Sequence, residues 1–145
     1  MIVRPLAPAD RAPWEPLWQG YLEFYKASVA PEVSDVTFAR LTNGHEPMGG
    51  FIATDGADAI GIVHWLTHRS CWTIPDYCYL QDLFVAPGRR GGGIGRKLIE
   101  TVYDKARELG CSRVYWHTHE TNAVAMRLYD GVADRPGFVQ YRKVL

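Results

Sequence analysis

The stretch that decides the reading is Val85-Ala86-Pro87-Gly88-Arg89-Arg90-Gly91-Gly92-Gly93-Ile94-Gly95-Arg96-Lys97. Before it, residues 77–85 are apolar nearly throughout, as buried strands are. After it, Ile94, Leu98, Val102, Ala106 and Leu109 recur as one helical stripe, and Gly110 stops that helix. A glycine-rich turn therefore joins a strand directly to a helix. Consecutive glycines cost conformational entropy and imply a close approach to the backbone. The helix opens without Ser, Thr, Asp or Asn, so its first N–H groups lack a side-chain cap. An anion would satisfy them, and the helix dipole favours one there. Arg89, Arg90 and Arg96 add positive charge around the same point, and a pyrophosphate is the expected occupant. A P-loop would need Gly-Lys-Ser/Thr, where this chain has Gly95-Arg96-Lys97-Leu98. A dinucleotide fingerprint would need glycine at Arg96 and an acid about 20 residues on. The alternative is a flexible glycine turn with solvated arginines.

Outward from this turn, residues 2–4 read as a first strand. A helical region from Pro8 to Lys26 follows, with Trp14, Trp18, Tyr21 and Tyr25 on one face. A second helix is expected over 34–41, capped by Ser34 or Asp35. Strands are expected over 50–54, 59–67 and 77–85, a helix over 94–109, a strand over 114–118, a short helix over 121–129 and a last strand over 138–144. The order is a mixed α/β (α+β) domain of residues 1–145, with one central mixed sheet flanked by helices.

The 145 residues suffice to bury a core, and Lys+Arg and Asp+Glu both count 16. Balanced charge argues against nucleic acid or an anionic membrane as partner. No apolar run has the length of a membrane span and no signal segment is visible, so a cytoplasmic protein is expected. Cys71, Cys78 and Cys111 match no zinc spacing and read as reduced thiols, with Cys78 as a covalent acyl carrier the alternative.

Arg90-Gly91-Gly92-Gly93-Ile94-Gly95 resembles the acetyl-CoA signature R/Q-x-x-G-x-G/A of the GNAT superfamily of N-acetyltransferases. Leu83-Phe84-Val85-Ala86-Pro87 is similar to the hydrophobic strand ending in V-x-P that precedes it. Asn122, Ala125, Leu128 and Tyr129 are similar to N-x-x-A-x-x-L-Y. Gly137-Phe138 resembles the closing G-F, at a later spacing that implies an insertion. The resemblance implies acetyl transfer from acetyl-CoA, without a metal, to a primary amine by direct attack in a ternary complex. A small-molecule amine is the expected acceptor. A protein lysine or N-terminus, and a non-catalytic CoA-binding module, are the alternatives, and a homodimer is compatible with the family.

In roles implied by the resemblance, Leu83, Phe84 and Val85 pair with the pantetheine arm. Amides of Gly91, Gly92, Gly93, Ile94, Gly95 and Arg96 hold the pyrophosphate, with Arg90 beside them, and Asn122 touches the arm. Tyr129 protonates the departing thiolate. Asn122 and Tyr129 are seven residues apart and share a helical face. Gln81 stands where relatives often carry Glu; it cannot act as a base, so that role passes to Asp82, a histidine or water. His117 and His119 point to one face, and no separated third ligand accompanies them and Glu120, so no metal is expected. His117 reads as substrate-facing or as hydrogen-bonded structure. The stripe of Trp14, Trp18, Tyr21 and Tyr25 reads as core, with Tyr21 and Tyr25 lining an amine site as the alternative.

Overall fold

A computed structural model describes residues 1–145. Strand β1 (Ile2–Pro5) leads through a 3₁₀ turn (Pro8–Asp10) into helix α1 (Arg11–Phe24), followed by α2 (Pro31–Thr42). Strands β2 (Met48–Asp55), β3 (Asp58–His68) and β4 (Tyr77–Val85) come next, then α3 (Ile94–Glu108), β5 (Arg113–Tyr115) and α4 (Ala123–Asp130). The strands form one sheet in the order β1-β2-β3-β4-β5, antiparallel except for the parallel pair β4–β5. The expected α/β architecture is thus observed. No helix is long and apolar enough to cross a membrane.

The sheet separates two cores. On one face Ile94, Leu98, Ile99, Val102 and Ala106 of α3 pack on Val63, Trp65, Cys78 and Leu80. On the other, Trp14, Leu17, Trp18 and Leu22 of α1 and Phe38 and Leu41 of α2 pack on Ile52, Ile62 and Phe84. Arg4 ties β1 to the start of α1 through two 2.8 Å bonds to buried Asp10. Those bonds hold the Asp10 carboxyl below its usual range, and the Ala7 N–H adds to the effect.

Strand β4 changes face partway along. His64 pairs with Asp82 while the next residue, Trp65, pairs with Leu80, so Gln81 is an extra residue, a β-bulge. Before the bulge Cys78 and Leu80 face α3. After it Leu83 and Val85 pack on the α3 side, and Asp82 and Phe84 face α1. Without the bulge, strict alternation would turn Asp82 into the α3 core.

Four expectations are corrected, the strand expected over 114–118 being only Arg113–Tyr115. Residues 138–144 form no strand, and Phe138, Val139, Tyr141 and Val144 are exposed. Strand β5 is only three residues long, and an isolated segment gains no ladder bonds. Ser34 does not cap α2, which begins at Pro31 after Ala30; it is buried and accepts a 3.0 Å bond from the Trp18 indole. Leu109 lies just past the α3 stripe and is exposed.

Gly20 fixes how closely α1 approaches β4, since a Cβ there would lie 2.8 Å from the Phe84 ring. Gly20→Ala would gain about 1 kcal/mol of helix propensity. Displacing a buried ring costs roughly 1–3 kcal/mol, so the clash outweighs the gain. A lower melting temperature by calorimetry is expected; an unchanged or higher one would contradict the packing argument.

Candidate active site

Strands β4 and β5 pair only where Tyr77–Tyr79 meets Arg113–Tyr115. Beyond Tyr79 the two diverge, and the β4 edge that carries Leu83, Phe84 and Val85 keeps β3 as its only strand neighbour. The strand thereby presents backbone groups to a gap in which an extended chain could lie, as strand addition requires.

At the end of this gap lies the glycine turn. Gly91 and Gly93 have φ of 86° and 79°, and a Cβ on either would project into open space. Gly93 is the N-cap of α3 and provides no side-chain bond. The Lys97 amide bonds to the Gly93 carbonyl at 3.0 Å, whereas no protein acceptor takes the amides of Gly91, Gly92, Gly93, Ile94, Gly95 and Arg96. A run of unpaired donors with glycine-cleared space in front fits a pyrophosphate. The arginines contribute less than the sequence implies. Arg89 binds Asp55 and Asp58 at the tip between β2 and β3. Arg90 donates from Nε to the Val85 carbonyl at 3.0 Å and lies over Phe24 and Phe84. Only Arg96 is lightly held, 4.0 Å from Glu100. An anion held here would therefore be bound mainly by backbone, and the Val85 carbonyl is already engaged.

The tyrosines meet Asp82 from α1 and β4. Trp14 and Trp18 are core and Tyr21, partly buried, packs against the same cluster, while Tyr25 at the end of the stripe is 41% exposed, which corrects the core reading for that residue. Burial, then the charge of Asp82 and a hydrogen bond with it, raise the Tyr21 hydroxyl far above its ordinary pKa. Tyr25 is raised mainly by burial, offset by hydrogen bonding with Thr118 and Asn122, and also senses Asp82. Tyr79 is raised by burial and then by Asp82. All three stay neutral donors at physiological pH.

Tyr129 of α4 packs edge-on against Trp116, with ring centroids 5.4 Å apart. Burial, then the nearby Tyr25, push its hydroxyl up to about 12. Asn122, at the start of α4, donates to Thr118 at 3.3 Å. His117 faces the Tyr79 hydroxyl at 3.3 Å on an exposed surface, and His119 pairs with Thr121. Gln81 is the extra residue of the bulge and is exposed. Cys78 is fully buried on the α3 side, and burial pushes its thiol up to about 12, which makes it a poor acyl carrier. A groove of about 850 Å³ beside Gly20, Phe24 and Arg90 contains none of Asp82, Tyr25 and Tyr129 and is not where this chemistry converges.

One residue escaped the sequence reading. His64 of β3 is 1% exposed and lies between Trp14 and Asp82. Its alternation with Ile62 marks the face it occupies, but its meeting with Asp82 depends on the bulge, which has no sequence signature here.

A sheet that opens beside a glycine-lined helix start, with neutral tyrosines and a carboxylate at the opening, defines an enzyme of acyl transfer from a nucleotide thioester. The model of the Acetyltransferase (GNAT) family matches residues 14–131, and the chain belongs to that family of N-acetyltransferases, with the acetyl-CoA co-substrate typical of it. It is 39% identical over 145 residues to the D-amino-acid N-acetyltransferase of Saccharomyces cerevisiae, covering 99% of this chain and 90% of that one. A thialysine N-epsilon-acetyltransferase of Caenorhabditis elegans is 32% identical over 83 residues, which are 57% of this chain and 51% of that protein. The solved structure of the acetyltransferase AAC(6')-Iy with a CoA bisubstrate analogue superposes with a TM-score of 0.84 over 99% of this chain and 98% of that one, at 18% identity, a likeness of fold.

The cradle makes its own prediction. In Gly93→Val a β-branched residue would occupy a left-handed backbone and place its side chain in the cleared space. Isothermal calorimetry should show CoA affinity reduced at least tenfold, from roughly 1–3 kcal/mol of backbone strain plus the lost space. Unchanged affinity in a folded variant would exclude the turn as the pyrophosphate site.

Proposed function

We propose that this enzyme acetylates a small primary amine by direct attack in a ternary complex, with Asp82 accepting the amine proton and Tyr129 protonating the leaving thiolate. The observation that carries it is the convergence of Asp82, Tyr21, Tyr25 and Tyr129 about the gap between β4 and β5. A free alkylamine is protonated at neutral pH, with a pKa near ~10.4, so attack needs a proton acceptor. A buried carboxylate ringed by tyrosines would attract the ammonium form through charge and ring faces. It would then take one proton as the N–H bond breaks.

The amine lone pair forms the new C–N bond at the thioester carbonyl, and the C–S bond breaks. Amides of the free β4 edge would stabilise charge on the carbonyl oxygen. Nitrogen sheds two protons between the ammonium and the amide: Asp82 takes the first and passes it to solvent, and the second, lost after attack, restores the proton that Tyr129 gives to the thiolate, so protons balance over a turnover. With its hydroxyl pushed up to about 12, Tyr129 holds that proton across the working range. Leu83, Phe84 and Val85 would run beside the pantetheine arm, and Asn122 would steady it. The relatives named for D-amino acids and thialysine support a small amine acceptor with a carboxylate elsewhere in the molecule.

The test is CoA release with D- and L-amino acids, thialysine, aminoglycosides and a lysine peptide. Turnover of a small amine is expected; turnover of the peptide alone would overturn the acceptor class. In Tyr129→Phe, which keeps the ring, kcat should fall by roughly 10²–10⁴ with CoA affinity nearly unchanged. Because its hydroxyl titrates near 12, no decline in kcat traceable to Tyr129 ionisation should occur below about pH 10. Near-normal kcat in that variant with chemistry rate-limiting would reject the acid role, whereas an alkaline fall below pH 10 that the variant abolishes would keep the acid and contradict its raised hydroxyl.

A further inference from the structure

Behind the site runs a buried hydrogen-bonded chain joining three elements. The Trp14 indole donates to His64 Nε2 at 2.9 Å, and His64 Nδ1 meets Asp82 Oδ2 at 2.8 Å. Trp14 is 0%, His64 1% and Asp82 8% exposed. An indole N–H can only donate, so Nε2 must be a bare acceptor. A neutral imidazole then carries its proton on Nδ1, and that proton points at the carboxylate. A proton added to Nε2 would set donor against donor in a site closed to water, which costs both the bond and the desolvation of its partners.

We infer that Trp14 and His64 are positioning residues for Asp82: the indole selects the Nδ1–H tautomer, and that N–H fixes one carboxylate oxygen, so the other is presented to the amine and the proton is stored on Asp82 and not on the imidazole. The inference rests on the proposed base role of Asp82. Sequence separation hides the device, since Trp14 and His64 are 50 residues apart and His64 and Asp82 are 18. The other titratable groups facing Asp82 are Tyr21 and Tyr25 from α1 and Tyr79 from β4 itself, each raised first by burial and therefore neutral. None of them competes for a proton taken from the amine. His64 does not touch the reacting atoms; it acts through Asp82. Trp14 acts through His64 and also stacks on Trp18 at 5.5 Å, so the tautomer lock is braced by the α1 core.

Two readouts test this. Nitrogen-15 spectra of the histidine-labelled, ligand-free enzyme should show His64 with Nδ1 protonated and Nε2 bare, identified as the signal that vanishes in His64→Asn; His68, whose Nδ1 donates to the Arg69 carbonyl at 2.6 Å, shares that tautomer and should remain. An Nε2–H tautomer or a doubly protonated ring at neutral pH would overturn the lock, and this spectrum needs no acceptor. In kinetics, His64→Leu should lower kcat roughly tenfold or more, the scale of one lost bond to a charged group, with KM for acetyl-CoA unchanged. His64→Asn, whose amide can still donate to Asp82, should recover most of that loss. Trp14→Phe should lower kcat and mix the tautomers of His64. Normal kcat in folded His64→Leu, with Asp82→Asn inactive, would sink the positioning inference alone. Normal kcat in Asp82→Asn would sink the base role itself.

Discussion

One extra residue in β4 sets the geometry on which the site depends. Because Gln81 bulges out, the chain gains half a pleat, and Asp82 and Phe84 move to the face that α1 covers. Gly20 lets α1 come close enough to use that face, with Phe84 as the contact that sets the distance. The same displacement leaves Leu83 and Val85 on the α3 side, so the α3 core is not interrupted by a charge. A carboxylate in that core would have no partner, and its desolvation would outweigh any single packing gain.

Polarity on the α1 side is tolerated because each buried group has a partner. No buried side-chain nitrogen or oxygen is left without one. Trp18 gives its N–H to Ser34 and Trp14 gives its N–H to His64, so two large rings fill the core while their polar edges are used. Along α1 the chemistry passes from indole to phenol: the tryptophans lie in the core, and the tyrosines one and two turns later reach the opening of the sheet. A single amphipathic helix thus supplies core at one end and site at the other.

The glycine turn, the α3 stripe and the strand–helix order were legible because they depend on local chemistry: periodicity, caps and residues that permit positive φ. Asp82 and Tyr129 could be singled out from their motifs. What escaped depends on pairs distant in the chain. His64 gains its meaning only from a register shifted by a bulge, and the reach of Arg89 and Arg90 is set by Asp55, Asp58 and a carbonyl, which spacing along the chain does not encode. The stripe of Trp14 through Tyr25 left core and amine site open for Tyr21 and Tyr25, since period alone does not say where a sheet ends. Residues 138–144 hold the Phe, Val and Tyr that favour strands, but propensity does not supply a partner, and β5 is too short to offer a long edge.

Helix α4 carries Tyr129 but buries none of its residues fully, and the segment after it is tied back chiefly by the Tyr103 hydroxyl on the Val132 carbonyl at 2.8 Å. The sheet and α3, by contrast, hold Leu98, Ile99, Val102 and Ile62 wholly out of water. Elements with little buried surface open first on warming, at a small fraction of the global unfolding free energy. The proposed acid therefore rides on an element held less firmly than the sheet and α3. With Tyr129 as the proposed acid, activity is expected to fade on warming before the sheet melts, so strengthening the central core would raise the melting point without extending the range of activity.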